Sequence, residues 1–305
     1  MQSPLYIGIS MKKENMSSKM SLAGAMVIFG TIGLFVRNID MPSSIIAFIR
    51  GAVATAFLVI FCLITGKKFS FDKVREKLLL LCLSGAAIGI NWIFLFEAYR
   101  YTTVATATLC YYMAPIFVIV MSSVIYKERL TVKKICCTLA ALVGMVFVSG
   151  VAETGIGNIT EMKGVILGVL AAVFYSSVVL MNKSLGSVPA YDKTIVQLFG
   201  AAAVILPYCL ATVEVGDVSF DKKSVIMLLI VSIIHTGIAY TAYFGSMKNL
   251  QSQTIAIMSY IDPIVAVVLS ALLLKEKMSA LSIVGAVMIL SATFLSEVSL
   301  KKKSK

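Results

Sequence analysis

Long apolar runs alternate along this chain with short clusters of polar and charged residues. A helix rises about 1.5 Å per residue, so roughly 20 residues cross a hydrocarbon core about 30 Å thick. Ten runs approach or exceed that length, with ends uncertain by a few residues: 20–36, 43–65, 78–96, 103–125, 135–151, 164–181, 194–213, 224–244, 252–274 and 280–296. Period-two alternation is absent, and lipid forces each segment to satisfy its own backbone groups. The pattern therefore predicts an all-α integral membrane protein with ten transmembrane helices.

Composition agrees with a chain whose solvent is lipid. Apolar residues make up 59% of the 305 positions and charged residues 14%, too little charge for the surface of a soluble protein. The net charge of +12 could suggest nucleic acid, but the basic residues lie in short loops and tails. They form no amphipathic face, so we expect the lipid bilayer as partner and no nucleic acid. The six cysteines match no zinc or redox spacing, so neither metal nor cofactor is expected.

Lys and Arg near the helix ends favour one orientation. With the N-terminus inside, the cytoplasmic segments carry 19 of these residues and the outer loops carry 7. We therefore expect a multi-pass protein of a bacterial plasma (inner) membrane. Residues 1–19 form a cytoplasmic N-tail, and the basic segment 297–305 forms a cytoplasmic C-tail.

The chain also contains an internal repeat. Residues 96–130 align without a gap with residues 244–278 at a constant offset of 148. The alignment predicts two five-helix halves, 20–151 and 164–296. Five is odd, so the second half must be inverted in the membrane, an arrangement typical of secondary transporters with a site near the bilayer midplane.

Each copy carries a proline within a span and a glutamate thirteen residues later at the helix exit. The segments read APIFVIVMSSVIYKERLT, with Pro115 and Glu128, and DPIVAVVLSALLLKEKMS, with Pro263 and Glu276. By this signature the chain resembles the EamA-type family of the drug/metabolite transporter superfamily over nearly its whole length. The resemblance implies ten transmembrane helices and a solute cavity between the halves. It implies no single substrate, since members export amino acids, carry metabolites or remove toxic cations.

Ionisable residues inside the spans are the first candidates for function, because a charge at the bilayer centre costs about 2.5–3.5 kcal/mol. Arg50 either binds a substrate carboxylate or is structural, snorkelling outward or pairing with carbonyls. Asp262 precedes Pro263, which frees the carbonyl of Ser259, and the first copy has Ala114 in its place. This carboxylate is either a cation or ammonium site or a buried partner of Arg50 or His235.

Further candidates follow from side-chain chemistry. His235 could relay protons together with Asp262, or simply pack. Tyr112 and Tyr260, three residues before the prolines, are the best candidates to line the site. The other predicted substrate-binding residues are Asn91, Trp92 and Tyr240. Pro115 and Pro263 are predicted helix breaks, and Glu128 and Glu276 are predicted structural or gating residues at the membrane edges.

These features favour a secondary transporter of a small organic solute, an exporter of amino acids or related metabolites working by alternating access. Three alternatives stay open: a carrier of cationic drugs or quaternary amines, a carrier of lipids or nucleotide-sugars, and a membrane-embedded enzyme. The second requires a larger basic pocket than Arg50 alone offers. The third lacks support, since the chain has no HExxH motif, no GxSxG motif and no paired intramembrane aspartates.

Overall fold

The computed structural model describes residues 4–125, 131–149, 152, 159–214, 216, 218, 220–247, 250 and 258–297. Throughout these ranges the regular elements are helical. In chain order they are α1 (Pro4–Val36), α2 (Ser43–Ile64), α3 (Phe71–Glu76), α4 (Leu78–Tyr101), α5 (Val104–Tyr111), α6 (Ala114–Ile125), α7 (Val132–Val148), α8 (Ile159–Ser184), α9 (Ala190–Thr212), α10 (Lys222–Ile230), a π-helix (Val231–Ile238), α11 (Ala239–Met247), α12 (Ile261–Leu273) and α13 (Ala280–Glu297).

Seven helical stretches of the described chain are long and apolar enough to cross a membrane: Met16–Val36, Ser43–Ile64, Leu78–Tyr101, Val104–Ile125, Ile159–Asn182, Ala190–Thr212 and Lys222–Tyr243. Three shorter apolar helices accompany them, at Ile135–Val148, Ile261–Leu273 and Ala280–Leu295. Large apolar side chains cover the outside of the bundle; Leu79, for example, is 76% exposed. Such an apolar exterior is stable in lipid and would aggregate in water, so the protein is a multi-pass membrane protein.

The fourth predicted span is broken where its proline indicates. Helix α5 ends at Tyr111 and α6 begins at Ala114, just before Pro115. In the matching segment, a turn at Tyr260 precedes α12 and Pro263. Proline has no N–H to donate and its ring crowds the preceding turn, so both segments interrupt regular helix at the same relative position.

These matched segments lie side by side and run antiparallel. At the start of α5, the Val104 backbone N–H donates to Glu276, which follows the end of α12, with 3.0 Å between N and Oε2. Just after α5, the Tyr112 hydroxyl donates to Asp262 at the start of α12 over 2.6 Å. Residue numbers therefore rise along one segment as they fall along the other.

The connections between helices gather at two ends of the bundle. At one end, Arg37 after α1 pairs with Glu276 after α12. At the other end, the Lys67 ammonium group after α2 lies 3.5 Å from the ring centroid of Tyr191 in α9. Because α2 runs from one end to the other, its 22 residues give a distance of about 33 Å between them.

Close helix contacts depend on small residues. A Cβ built on Gly144 of α7 would lie 2.8 Å from the Gly285 carbonyl oxygen of α13. A Cβ on Gly285 would lie 2.5 Å from the Gly144 carbonyl oxygen. The two backbones approach too closely for any side chain between them, a common packing mode for helices in lipid.

Candidate functional site

A cavity of about 510 Å³ lies within the bundle, bordered by α1, α2, α4, α5, α6, α8, α11 and α12. Aromatic side chains dominate its wall: Phe29, Trp92, Tyr99, Tyr111, Tyr112, Tyr175, Tyr240, Tyr243 and Tyr260. Among the described lining residues, Arg50 and Asp262 carry charge. The cavity thus offers one fixed cation and one fixed anion inside an aromatic enclosure.

Arg50 is held on the cavity wall by a hydroxyl group and two rings. Its Nε donates to Thr236 Oγ1 over 2.6 Å. Its guanidinium carbon lies 4.2 Å from the Trp92 ring centroid and 5.5 Å from that of Phe96. Desolvated cation–π contacts of this kind contribute about 2 kcal/mol. Nε is the nitrogen with a hydrogen-bond partner among the described residues, so both terminal nitrogens can bind a carboxylate in fork geometry.

Asp262 is held by the other half of the chain. Its Oδ2 accepts the hydrogen bond from Tyr112, whose hydroxyl also lies 3.3 Å from the Ser259 carbonyl oxygen. The Ser259 carbonyl oxygen, to which Pro263 has no N–H to donate, therefore lies beside the same hydroxyl. Arg37–Glu276 and Arg100–Glu97 are ion pairs between described residues, and neither involves Asp262. Asp262 thus lines the cavity without a direct ion pair to Arg50 or His235.

His235 lies in the π-helix, behind the cavity wall. Its Nε2 is 2.8 Å from Thr31 Oγ1, and its ring meets Phe35 edge-on at 4.9 Å between centroids. It is 2% exposed and does not line the cavity. Its neighbour Thr236 is the residue that contacts Arg50, so the π-helix connects the histidine indirectly to the cation. Isolated π-helical turns are frequent at functional sites.

Most of the residues predicted from the sequence meet at this cavity. Trp92, Tyr112, Tyr240, Tyr260 and Pro115 line it together with Arg50 and Asp262. Asn91 does not: it donates to the Ala171 carbonyl oxygen over 2.6 Å, between α4 and α8. Pro263 is buried in α12 and does not line the cavity.

Glu276 lies at the end of the bundle, outside the cavity. Its carboxylate accepts hydrogen bonds from Arg37, Ser270 and the Val104 backbone N–H. It thereby joins the end of α1, the start of α5 and the segment after α12. Its predicted counterpart Glu128 lies outside the described residues.

Several residues at the site carry no signal that marks them in the sequence. Thr236 contacts Arg50 from 186 positions away, and Tyr99 and Tyr175 line the cavity wall from two different helices. Tyrosines are frequent in spans and at their ends, so position along the chain does not distinguish these from packing residues.

The geometry agrees with the similarities to known proteins. The profile of the EamA-like transporter family matches residues 17–150 and again residues 162–297. A Bacillus subtilis (strain 168) protein named uncharacterized transporter YxxF is 30% identical over 287 residues, covering 93% of this chain and 90% of that protein.

More distant relatives and one solved structure extend the comparison. A Salmonella typhimurium (strain LT2) protein named probable amino-acid metabolite efflux pump is 23% identical, covering 74% of this chain and 79% of its own length. A crystal structure 17% identical to the chain superimposes with a TM-score of 0.64, covering 92% of this chain and 96% of that one, and shares the fold. The chain belongs to the EamA-like transporter family.

Proposed function

We propose that this transporter exports amino acids or related small metabolites across the bacterial plasma membrane by alternating access. The observation that carries the proposal is the pair of opposite fixed charges, Arg50 and Asp262, in one aromatic cavity. A zwitterion presents one carboxylate and one ammonium group, and one cation and one anion on the wall of the same cavity can bind both. Aromatic walls favour both an apolar side chain and the ammonium group.

The cavity is large enough for one such solute. A volume of about 510 Å³ falls within the usual range of roughly 300–1,000 Å³ for small-molecule sites. A lipid or nucleotide-sugar would bring phosphate charges that Arg50, as one buried cation, does not balance. The chain has no Walker motif, so a proton or solute gradient supplies the energy.

The proposed architecture is ten spans in two inverted halves, 20–151 and 164–296. The seven long and three shorter apolar helices support that number. The antiparallel course of α5 and α12 supports inversion, since these segments match in sequence at the offset of 148. In this arrangement the halves rock about the cavity and expose it to each side of the membrane in turn.

The proposed orientation has both termini in the cytoplasm. The connections that meet through Arg37 and Glu276 are both external in the predicted topology. Those that meet through Lys67 and Tyr191 are both cytoplasmic. The way the connections meet at the two ends is thus compatible with the asymmetry in Lys and Arg residues. That asymmetry determines which end faces the cytoplasm.

Uptake into proteoliposomes tests the function. Amino acids, quaternary amines and nucleobases would each be offered with and without a pH gradient. We expect saturable uptake of an amino acid, lost in both Arg50→Gln and Asp262→Asn. Asp72→Asn and Arg75→Gln are the matched controls, because these residues are exposed in the short helix α3 and outside the cavity. Nucleobase uptake alone, insensitive to either cavity variant, would contradict the proposal.

A carrier of quaternary amines is the second candidate, favoured by the contact of Asp262 with Tyr112 in a tyrosine-rich wall. The same experiment separates the two functions. A quaternary amine requires the carboxylate and not the guanidinium group. Uptake of the amine that survives Arg50→Gln and fails in Asp262→Asn would select this second function.

A further inference from the structure

A second cavity of about 420 Å³ lies at the end of the bundle where Arg37 and Glu276 pair. We call it the vestibule; its wall consists of Val36, Arg37, Ile39, Asp40, Ser43, Ile46, Phe96, Tyr99 and Arg100. Charged and hydroxyl groups are prominent in this wall, whereas aromatic rings dominate the central cavity. The vestibule therefore suits a polar solute that is leaving or entering water.

Tyr99 belongs to the walls of both cavities. It is 4% exposed, and its ring stacks on that of Phe96 with 6.5 Å between centroids. Phe96 faces the vestibule, and its ring lies 5.5 Å from the Arg50 guanidinium carbon of the central cavity. A thin layer of aromatic side chains thus separates the proposed binding charges from the vestibule.

At Gly33, α1 presents backbone without a side chain to this layer. A Cβ built on Gly33 would lie 3.5 Å from Tyr99 Cζ and 2.4 Å from Val104 Cγ1. Gly33 leaves space beside the tyrosine ring that any other residue would fill. A ring rotation about χ1 or a shift of α1 would therefore change the separation between the two cavities.

Polar contacts around the vestibule join the helices that such a shift would separate. Ser43 at the start of α2 donates to Glu97 of α4 over 2.6 Å, and Arg100 donates to the Met41 carbonyl oxygen. Arg37 at the end of α1 donates to Glu276. Two of these contacts are partly buried and one is exposed, and each is a hydrogen bond of modest net strength, so they can break and reform during a transport cycle.

We propose that the solute passes between the central cavity and the vestibule at Tyr99, whose ring is the gate of the pathway. The ligand class is the one proposed above, a small zwitterionic or cationic organic solute, so the inference rests on the proposed function. In the conformation described here the ring is in the closed position. The Arg37–Glu276 pair holds the surrounding helix ends together while the gate is closed.

Thiol labelling tests the gate without any solute. Ala114→Cys places a thiol on the central cavity wall, and Asp40→Cys places one in the vestibule. A membrane-impermeant methanethiosulfonate reagent is added to vesicles of each orientation, and labelling above that of the native six cysteines is followed in time. The side from which Asp40→Cys reacts is the vestibule side, whatever the topology.

From that side we expect Ala114→Cys to react slowly and Asp40→Cys rapidly. Adding Tyr99→Ala should accelerate Ala114→Cys labelling by about tenfold or more, since each 1.4 kcal/mol of barrier corresponds to a factor of ten. Tyr99→Phe keeps the ring and should leave the rate unchanged. Tyr101→Ala is the matched control, because Tyr101 is on the same helix and lines neither cavity.

Two results would overturn the gate. One is that, with Tyr99 present, Ala114→Cys is labelled as fast as Asp40→Cys. The other is that Tyr99→Ala accelerates the labelling of Ala114→Cys no more than Tyr101→Ala does. If Tyr99→Ala does not fold, Tyr99→Leu serves the same comparison, with unchanged Asp40→Cys labelling as evidence of folding. Tyr99-dependent labelling in a protein that carries nothing from the solute panel would overturn the proposed function and keep the gate. Transport of a solute from the panel together with labelling that does not depend on Tyr99 would overturn the gate alone.

Discussion

Gly30 determines how closely α1 can approach the segment that carries Asp262. A Cβ built on Gly30 would lie 2.6 Å from the Asp262 carbonyl oxygen and 2.7 Å from Val265 Cβ. Ordinary contacts begin near 3.4 Å, so Gly30→Ala requires α1 and α12 to separate locally by almost 1 Å. Overpacking of this kind costs about 1–3 kcal/mol. Gly24, on the same helix, has nothing within 4 Å of its Cβ position and is the matched control.

Gly30→Ala should lower the transport rate as well as the stability. Separating α1 from α12 displaces the backbone of Asp262, whose carboxylate depends on a 2.6 Å hydrogen bond from Tyr112. Misplacement by about 1 Å can lower a rate by as much as 100-fold. We therefore expect Gly30→Ala to lose most of its transport, and Gly24→Ala to keep the parental rate.

Two measurements decide the matter. Heat-induced aggregation in one detergent gives the stability, and initial uptake in proteoliposomes gives the function. Gly30→Ala should aggregate several degrees earlier than the parent, and Gly24→Ala at or above the parental temperature. If the two variants behaved alike in both assays, the close approach of α1 and α12 would be wrong.

Three further predictions concern the charges and the topology. Asp262→Asn should abolish transport with little change in thermal stability, and adding Arg50→Gln should not restore transport; a destabilised single variant whose stability the double variant restores would instead indicate a buried ion pair. Tyr112→Phe removes a hydrogen bond to a charged group, worth about 1.5–3 kcal/mol, so it should lower stability and weaken the transport of ammonium-bearing solutes; full activity with unchanged heat stability would contradict this. A cysteine at Leu300 should resist impermeant reagents added outside intact cells, and efficient labelling there would reverse the proposed orientation.

The sequence predicts well whatever depends on local chemistry. Apolar length predicts the spans because lipid excludes polar backbone wherever a segment cannot satisfy it internally. Pro115 predicts the break between α5 and α6, because a proline nitrogen has no hydrogen to donate. For the same reason Pro263 cannot donate to the Ser259 carbonyl oxygen, which accepts from the Tyr112 hydroxyl over 3.3 Å. Arg50 and Asp262 are recognisable as functional candidates because a charged side chain inside a membrane span is energetically costly.

The sequence predicts poorly whatever depends on the rotation of a helix about its own axis. Asn91 and Trp92 are neighbours, yet the indole lines the cavity and the amide bonds to α8. Adjacent residues point about 100° apart on a helix, and only packing decides which of them faces inward. The π-helix is a second example. It places Thr236 against Arg50, and no sequence motif in the segment Val231–Ile238 predicts a π-helix there.

In the proposed function, a difference between the two copies of the repeat lets the Asp262 carboxylate couple the two halves. Tyr112 and Tyr260 are matched positions, whereas Asp262 is matched by Ala114. In the proposed inverted arrangement, the antiparallel segments bring the tyrosine of the first copy to the carboxylate of the second, and no reciprocal bond can form because alanine has no acceptor side chain. The tyrosine–carboxylate hydrogen bond between Tyr112 and Asp262 is therefore not repeated by the matched pair Tyr260 and Ala114. A solute ammonium group that binds Asp262 competes with Tyr112 for the same carboxylate, so binding weakens this link between the halves. Rocking of the halves would thereby depend on the presence of the solute, which is the property that a coupled carrier requires.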